Sequence, residues 1–105
     1  MKKMFTILVP TERRSDAKPI KTRFHRVWDA KVRTISGGIT IMSPVKGQWM
    51  HGDELFSERM IPVMFIATDE QKDKIVEMTA VYYDQLAILC WEISNNVTLY
   101  NRYID

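Results

Sequence analysis

Apolar and polar positions along this chain alternate between two periods, one of about two residues and one of three to four. Lys3 to Val9 is a β-rich apolar run closed by Pro10, which predicts a buried strand. A polar, charged loop follows through Lys18. From Pro19, a favourable first-turn residue, Ile20, Phe24, Val27, Trp28, Val32 and Ile35 recur mainly at steps of three and four, which places them on one face of a helix. Ser36-Gly37-Gly38 should end that helix, because glycine tolerates the left-handed backbone that closes it. Ile39 to Met42 predicts a strand punctuated by Ser43-Pro44, and Lys46 to Met50 resumes extended structure. His51-Gly52-Asp53-Glu54 has hairpin-turn composition, and the return segment runs from Leu55 to Ala67. Pro62 has no N–H to give a ladder, so it should mark a bulge, a strand start or an edge.

Thr68 and Gln71 stand at capping-box spacing, and Asp69, Glu70 and Asp73 supply the negative charge that a helix N-terminus favours. The helix they open should run to about Asp84 and bury Ile75, Met78, Thr79 and Tyr82. Leu86 to Ile93 is the most continuous apolar run, which predicts a central strand. Ser94-Asn95-Asn96 offers a turn from which Val97 to Tyr100 would pair back as a short final strand.

The predicted fold is therefore α+β and ferredoxin-like, βαββαβ, an antiparallel sheet with both helices on one face and an extra C-terminal strand. Such a sheet leaves its other face without helices, and strand side chains point alternately to both faces, so something must shield the open one. A second subunit packed sheet to sheet would do so. The expectation is a homo-oligomer, a dimer through the open face or edge, with Trp49, Trp91, Tyr100 and Tyr103 as aromatic anchors.

Composition narrows the class. With 105 residues, 46% of them apolar, the chain suits one domain spanning residues 1–105 and is too short for two. Three Trp, four Tyr and four Phe argue against disorder. The single cysteine, Cys90, makes no internal disulfide and reads as a small buried hydrophobe within Leu86 to Trp91. The apolar stretch Met4 to Val9 is too short and too abruptly followed by charge to be a signal-peptide core, and no window is long enough to cross a bilayer. A reducing, cytoplasmic setting is expected.

The net charge of +2 conceals a division. Residues 1–50 hold eleven Lys or Arg against three acids, whereas residues 51–105 hold four against ten. Such asymmetry fits an anionic partner, self-association between unlike faces, or two solvated surfaces of opposite sign. The basic residues Arg13, Arg14, Lys18, Lys21, Arg23 and Arg26 are the candidates for holding an anion. Nucleic acid is not favoured as that anion. A ferredoxin-like RNA-binding module carries a Lys/Arg-Gly-aromatic motif for stacking bases, and this chain lacks it.

The most distinctive local sequence is Gly37-Gly38-Ile39-Thr40, then Lys46-Gly47-Gln48-Trp49, then Glu58, with Gln85 ahead of the apolar run. In these residues the chain resembles small bacterial α+β proteins of uncharacterised function with a Gly-Gly-x-Thr and Gly-x-Trp pattern. The resemblance spans roughly residues 37 to 93; it implies a ferredoxin-like fold and carries over no activity. The glycines are explained by backbone needs, a helix stop at Gly37-Gly38 and a turn or bulge at Gly47.

Neither His25 nor His51 has a Cys or carboxylate at zinc-ligand spacing, so no metal and no cofactor is expected. An enzyme resembling dimeric α+β barrels, acting on a small apolar substrate, would have to draw its acid or base from Glu58, Glu92 or His51. Glu92 would have a raised pKa if it were desolvated between Trp91 and Ile93, although strand alternation also allows it to face water. The reading the sequence favours is a small, non-catalytic binding or interaction protein.

Overall fold

A computed structural model of the chain describes residues 1–100 and 102. Five strands, β1 (Lys3–Pro10), β2 (Thr40–Ile41), β3 (Val45–His51), β4 (Glu54–Ala67) and β5 (Cys90–Ser94), and two helices, α1 (Thr22–Ser36) and α2 (Asp69–Tyr82), follow in the order β1-α1-β2-β3-β4-α2-β5. The sheet runs β2-β4-β1-β5, with β3 extending the β2 side of the long strand β4, and all its pairings are antiparallel. This is the ferredoxin-like arrangement, in which the two βαβ halves interleave so that β1 and β4 become the central strands.

The helices share one face of the sheet. Phe5, Ile7 and Val9 of β1 and Val63, Phe65 and Ala67 of β4 form a buried cluster with Trp28 and Val32 of α1 and Ile75 of α2. Phe5 lies opposite Phe65 in register, and their rings stack at 5.7 Å. Trp28 is fully buried, and its indole N–H donates to the Thr79 hydroxyl at 2.9 Å, so the one polar atom of the largest core side chain is satisfied inside the core. The capping box forms as predicted: Gln71 N–H donates to the Thr68 hydroxyl, and the Gln71 side chain accepts from the Thr68 N–H. Gly37 ends α1 in the left-handed region, with its N–H on the Arg33 carbonyl.

Several expectations are corrected. Helix α1 begins at Thr22, not Pro19, because Pro19 bridges to Glu12 and Ile20 N–H donates to Thr11, which holds this segment extended. Phe24 and Val27, on its predicted buried face, are exposed, while Tyr83, just past the end of α2, is buried. The Leu86 to Ile93 run is not a central strand. Only Cys90–Ser94 is a strand, and it lies at the sheet edge beside β1. The chain leaves α2 through Asp84, at φ 52°, with Gln85 N–H bonded back to the Ala80 carbonyl, and it reaches the β1 ladder only where Leu89 accepts from Leu8 N–H. Residues 97–100 form no strand; past β5 the chain turns on the Ser94 hydroxyl, which accepts from Asn96 N–H.

Pro62 sits inside β4 rather than at its end, but opposite the break between β2 and β3. Leu8 N–H points to Leu89, so the Leu8–Pro62 pair exchanges no bonds, and the missing N–H of Pro62 faces the break. Only its carbonyl is used there, accepting from Met42 N–H.

The face away from the helices carries Met4, Thr6, Leu8 and Pro10 of β1 with Met60, Pro62, Met64 and Ile66 of β4. Its centre is not open, contrary to the sequence-based expectation. Thr6, Leu8 and Met60 are only 5%, 7% and 8% exposed, and Val97 and Leu99 line a cavity with Met4, Met64 and Ile66. What stays uncovered lies at the margins and on the β3–β4 hairpin, which projects beyond the end of β1 at Pro10 and helps draw the molecule out to 53 Å.

Candidate functional site

Two neighbouring cavities share Arg14 as a wall. The first, of about 630 Å³, lies between the loop after β1, the N-terminal turn of α1 and the C-terminal end of α2. Of the six candidate anion-binding residues it gathers four, Arg13, Arg14, Lys21 and Arg23; Lys18 and Arg26 stand outside it. Its apolar lining comes from Ile20, Phe24, Val27 and Tyr82. Phe24 stacks on Tyr82 with ring centroids 4.2 Å apart and meets Tyr83 edge-on, and the Tyr82 hydroxyl donates to the Phe24 carbonyl.

Hydrogen bonds fix the loop that carries the arginines. Arg13 N–H donates to Lys18, Ala17 N–H donates to Arg13, and the Asp16 carboxylate accepts from Lys18 N–H. The Arg13 guanidinium pairs with Asp16 and holds that carboxyl below its ordinary value. Arg14 reaches across to α2, donating at 2.8 Å to the Asp84 carbonyl and at 3.2 Å to its carboxylate. Beneath the site, burial pushes the Tyr83 phenol well above its usual range and pulls His25 below its own; His25 Nδ1 and the Tyr83 hydroxyl are 2.7 Å apart.

The second cavity, of about 500 Å³, is lined by Trp49, Phe56 and Glu58 of the hairpin, by Gln85 to Leu89 and by Arg14. Trp49, Glu58 and Gln85, separated by up to 36 residues of sequence, thus meet in one place. Gly47 explains part of the pattern. It occupies neither turn nor bulge but a regular strand position, where an added Cβ would come 3.1 Å from the Trp49 indole, which folds across it. Glycine two residues before the tryptophan is what lets the ring lie there.

The remaining candidates are scattered. His51 is exposed at the hairpin tip, opposite Glu54. Glu92 is on the helix side of β5 and pairs with Lys3, which also holds Asp69 at the start of α2; it is solvated, not desolvated between Trp91 and Ile93. Glu58 lines the second cavity, and neither Glu92 nor His51 joins it there. Trp91 lies opposite Thr6 on β5, 42% exposed, and Tyr100 is 79% exposed on the chain after β5. Tyr103 lies outside the described residues. Burial pushes the Cys90 thiol up to about 11, as befits a packed cysteine.

No protein-family model matches the chain, and no curated protein matches it in sequence. Solved structures do match in shape. The divalent cation tolerance protein CutA1 from Thermus thermophilus superposes with a TM-score of 0.67 at 12% identity, over 97% of this chain and 89% of that one. The periplasmic divalent cation tolerance protein CutA from Archaeoglobus fulgidus gives 0.69 at 9% identity, over 94% and 88%. CutA1 from Oryza sativa gives 0.68 at 6% identity, over 95% and 83%. At identities this low, the superpositions show a shared fold alone. In this chain, no three His, Cys, Asp or Glu side chains among the described residues come together to hold a metal ion. No helix is long and apolar enough to cross a membrane.

Proposed function

We propose that this is a small, non-catalytic binding protein of the cytoplasm that works as a homo-oligomer, a dimer at the least, joined through its β3–β4 hairpin. The observation that carries this reading is the hairpin itself. Val45, Trp49, Met50, Leu55 and Phe56 are all exposed on it, from 39% to 64%. Beyond Pro10 neither of its strands pairs with a further strand among the described residues, and at the β4 edge the Thr11 hydroxyl donates to the Arg59 carbonyl. The hairpin thus presents two largely unpaired edges as well as an apolar surface.

A second copy suits this surface because its charges complement one another. Lys46 stands directly opposite Arg59 on one face, a like-charge pair that disfavours the ribbon standing alone, and Glu54 and Glu58 lie on the other face. None of these four makes an ion pair among the described residues. A contact between unlike faces of two hairpins covers one apolar row of each and sets Lys46 and Arg59 of one copy against Glu54 and Glu58 of the other. A closed ring of copies repeats it on every face.

Light scattering coupled to size-exclusion chromatography tests the proposal. At tens of micromolar the protein should elute at a multiple of 12.4 kDa. Trp49→Ser combined with Phe56→Ser, both outside the helix-side core, should shift it to the single-chain mass with an unchanged far-ultraviolet circular dichroism spectrum. A wild-type chain that runs as a monomer refutes it.

A further inference from the structure

The cavity beside the N-terminus of α1 has the makings of a ligand site independent of any assembly. Three features converge there. The first is uncompensated charge. Arg13 and Arg14 are matched by Asp16 and Asp84, but Lys21 and Arg23 make no ion pair among the described residues. Lys21 is the N-cap of α1 and supplies no side-chain cap, and no acid stands in the first turn, so the leading amides add to the positive potential instead of being neutralised.

The second is an aromatic floor. Phe24 remains 39% exposed although it stacks on Tyr82, and Ile20 and Val27 continue the apolar lining. The third is rigidity. The loop closes through Ile20 N–H on Thr11 and Arg13 N–H on Lys18, and Arg14 ties it to the end of α2. A site held in shape before binding spends little affinity on ordering itself. At about 630 Å³ it matches the usual volume of small-molecule pockets and far exceeds what a bare phosphate fills.

We infer that this cavity binds a small aromatic phosphate, a planar ring bearing one phosphoryl group, as in an aryl phosphate or a nucleoside monophosphate. The ring lies on Phe24, and the phosphate takes charge-assisted hydrogen bonds from Lys21 and Arg23. Neither half of such a ligand suffices, because the floor offers an anion nothing and the rim offers an uncharged ring nothing.

Isothermal titration of the whole protein with 1-naphthyl phosphate, AMP, 1-naphthol and inorganic phosphate tests this. At least one of the two aromatic phosphates should bind with a Kd below 1 mM, and which one does separates the aryl from the nucleotide source. 1-Naphthol and inorganic phosphate should each bind at least tenfold more weakly. Lys21→Glu and Arg23→Glu, both at exposed positions, should each weaken the complex by tenfold or more, whereas Arg33→Glu, at the far end of α1, should change it less than twofold. The inference is overturned if neither aromatic phosphate binds below 1 mM, if inorganic phosphate or 1-naphthol binds within tenfold of them, or if the two charge reversals leave affinity unchanged.

Discussion

The Trp28–Thr79 contact shows how one polar atom fixes the packing of two helices. The indole fills the space between α1 and α2 and is fully buried, so its N–H has no route to water and depends on the Thr79 hydroxyl, which in turn donates to the Ile75 carbonyl. Thr79→Val preserves shape and removes the acceptor. It should therefore cost about 1–3 kcal/mol, the penalty of stranding a buried donor, while Thr79→Ser, which keeps the hydroxyl, costs less. Urea unfolding reads the difference as a lower midpoint at unchanged slope. Equal midpoints for Thr79→Val and wild type would show that this bond does not hold the helices. At the same scale, Gly47 shows what a sequence conceals. Its glycine is legible as a backbone requirement, but the requirement is the approach of the Trp49 ring and not a turn, which no local pattern distinguishes.

The end of α1, the start of α2 and the hairpin were legible because their signals are local: Gly37, Thr68 with Gln71, and the turn at Gly52 all do what their chemistry dictates, whereas Pro19 marked no helix start. The Leu86–Ile93 run misled because hydrophobicity alone cannot distinguish a buried central strand from a cavity-lining segment followed by an edge strand. Likewise Phe24 and Val27 continue the helical spacing of the buried residues yet line or border cavities, so periodicity locates the face without saying what covers it. The gathering of four of the six candidate cations at one cavity depends on the loop fold and on Asp84, which are tertiary facts.

The α1–α2 contact also has a pH response. Burial holds the His25 pKa below 6.5, and the nearby Asp29 charge only partly opposes this. The unfolded chain thus takes up the proton first, so stability should be complete above about pH 6.5 and fall as pH drops through the window beneath it. Asp29, whose own pKa is raised by burial, acts in the opposite sense, favouring the folded chain as pH falls through the window above its ordinary value of 3.8. His25→Gln keeps a partner for the Tyr83 hydroxyl and should flatten the dependence of the urea midpoint between pH 7 and 5. An equally steep fall in that variant would place the titrating group elsewhere.

For the molecule as a whole, the division between a basic first half and an acidic second half offers two routes to association, and salt separates them. Contacts between oppositely charged surfaces weaken as the Debye length contracts from about 10 Å at 0.1 M towards 3 Å at 1 M. An interface built on Trp49, Phe56, Met50 and Leu55 does not, since exposed ion pairs such as those open to Lys46 and Arg59 contribute only about 0–1 kcal/mol each and apolar burial supplies the rest. Sedimentation velocity at 50 and 500 mM sodium chloride should therefore find the same oligomer, while titration under the same two conditions finds the aromatic phosphate bound several-fold more weakly at the higher salt, because Lys21 and Arg23 hold it by charge. Dissociation to monomers at 500 mM would assign assembly to charge attraction rather than to the apolar side chains of the hairpin and leave the cavity untouched. Salt-independent binding would remove the cations from the ligand site and leave the hairpin untouched, so the two surfaces stand or fall on separate readings of one pair of buffers.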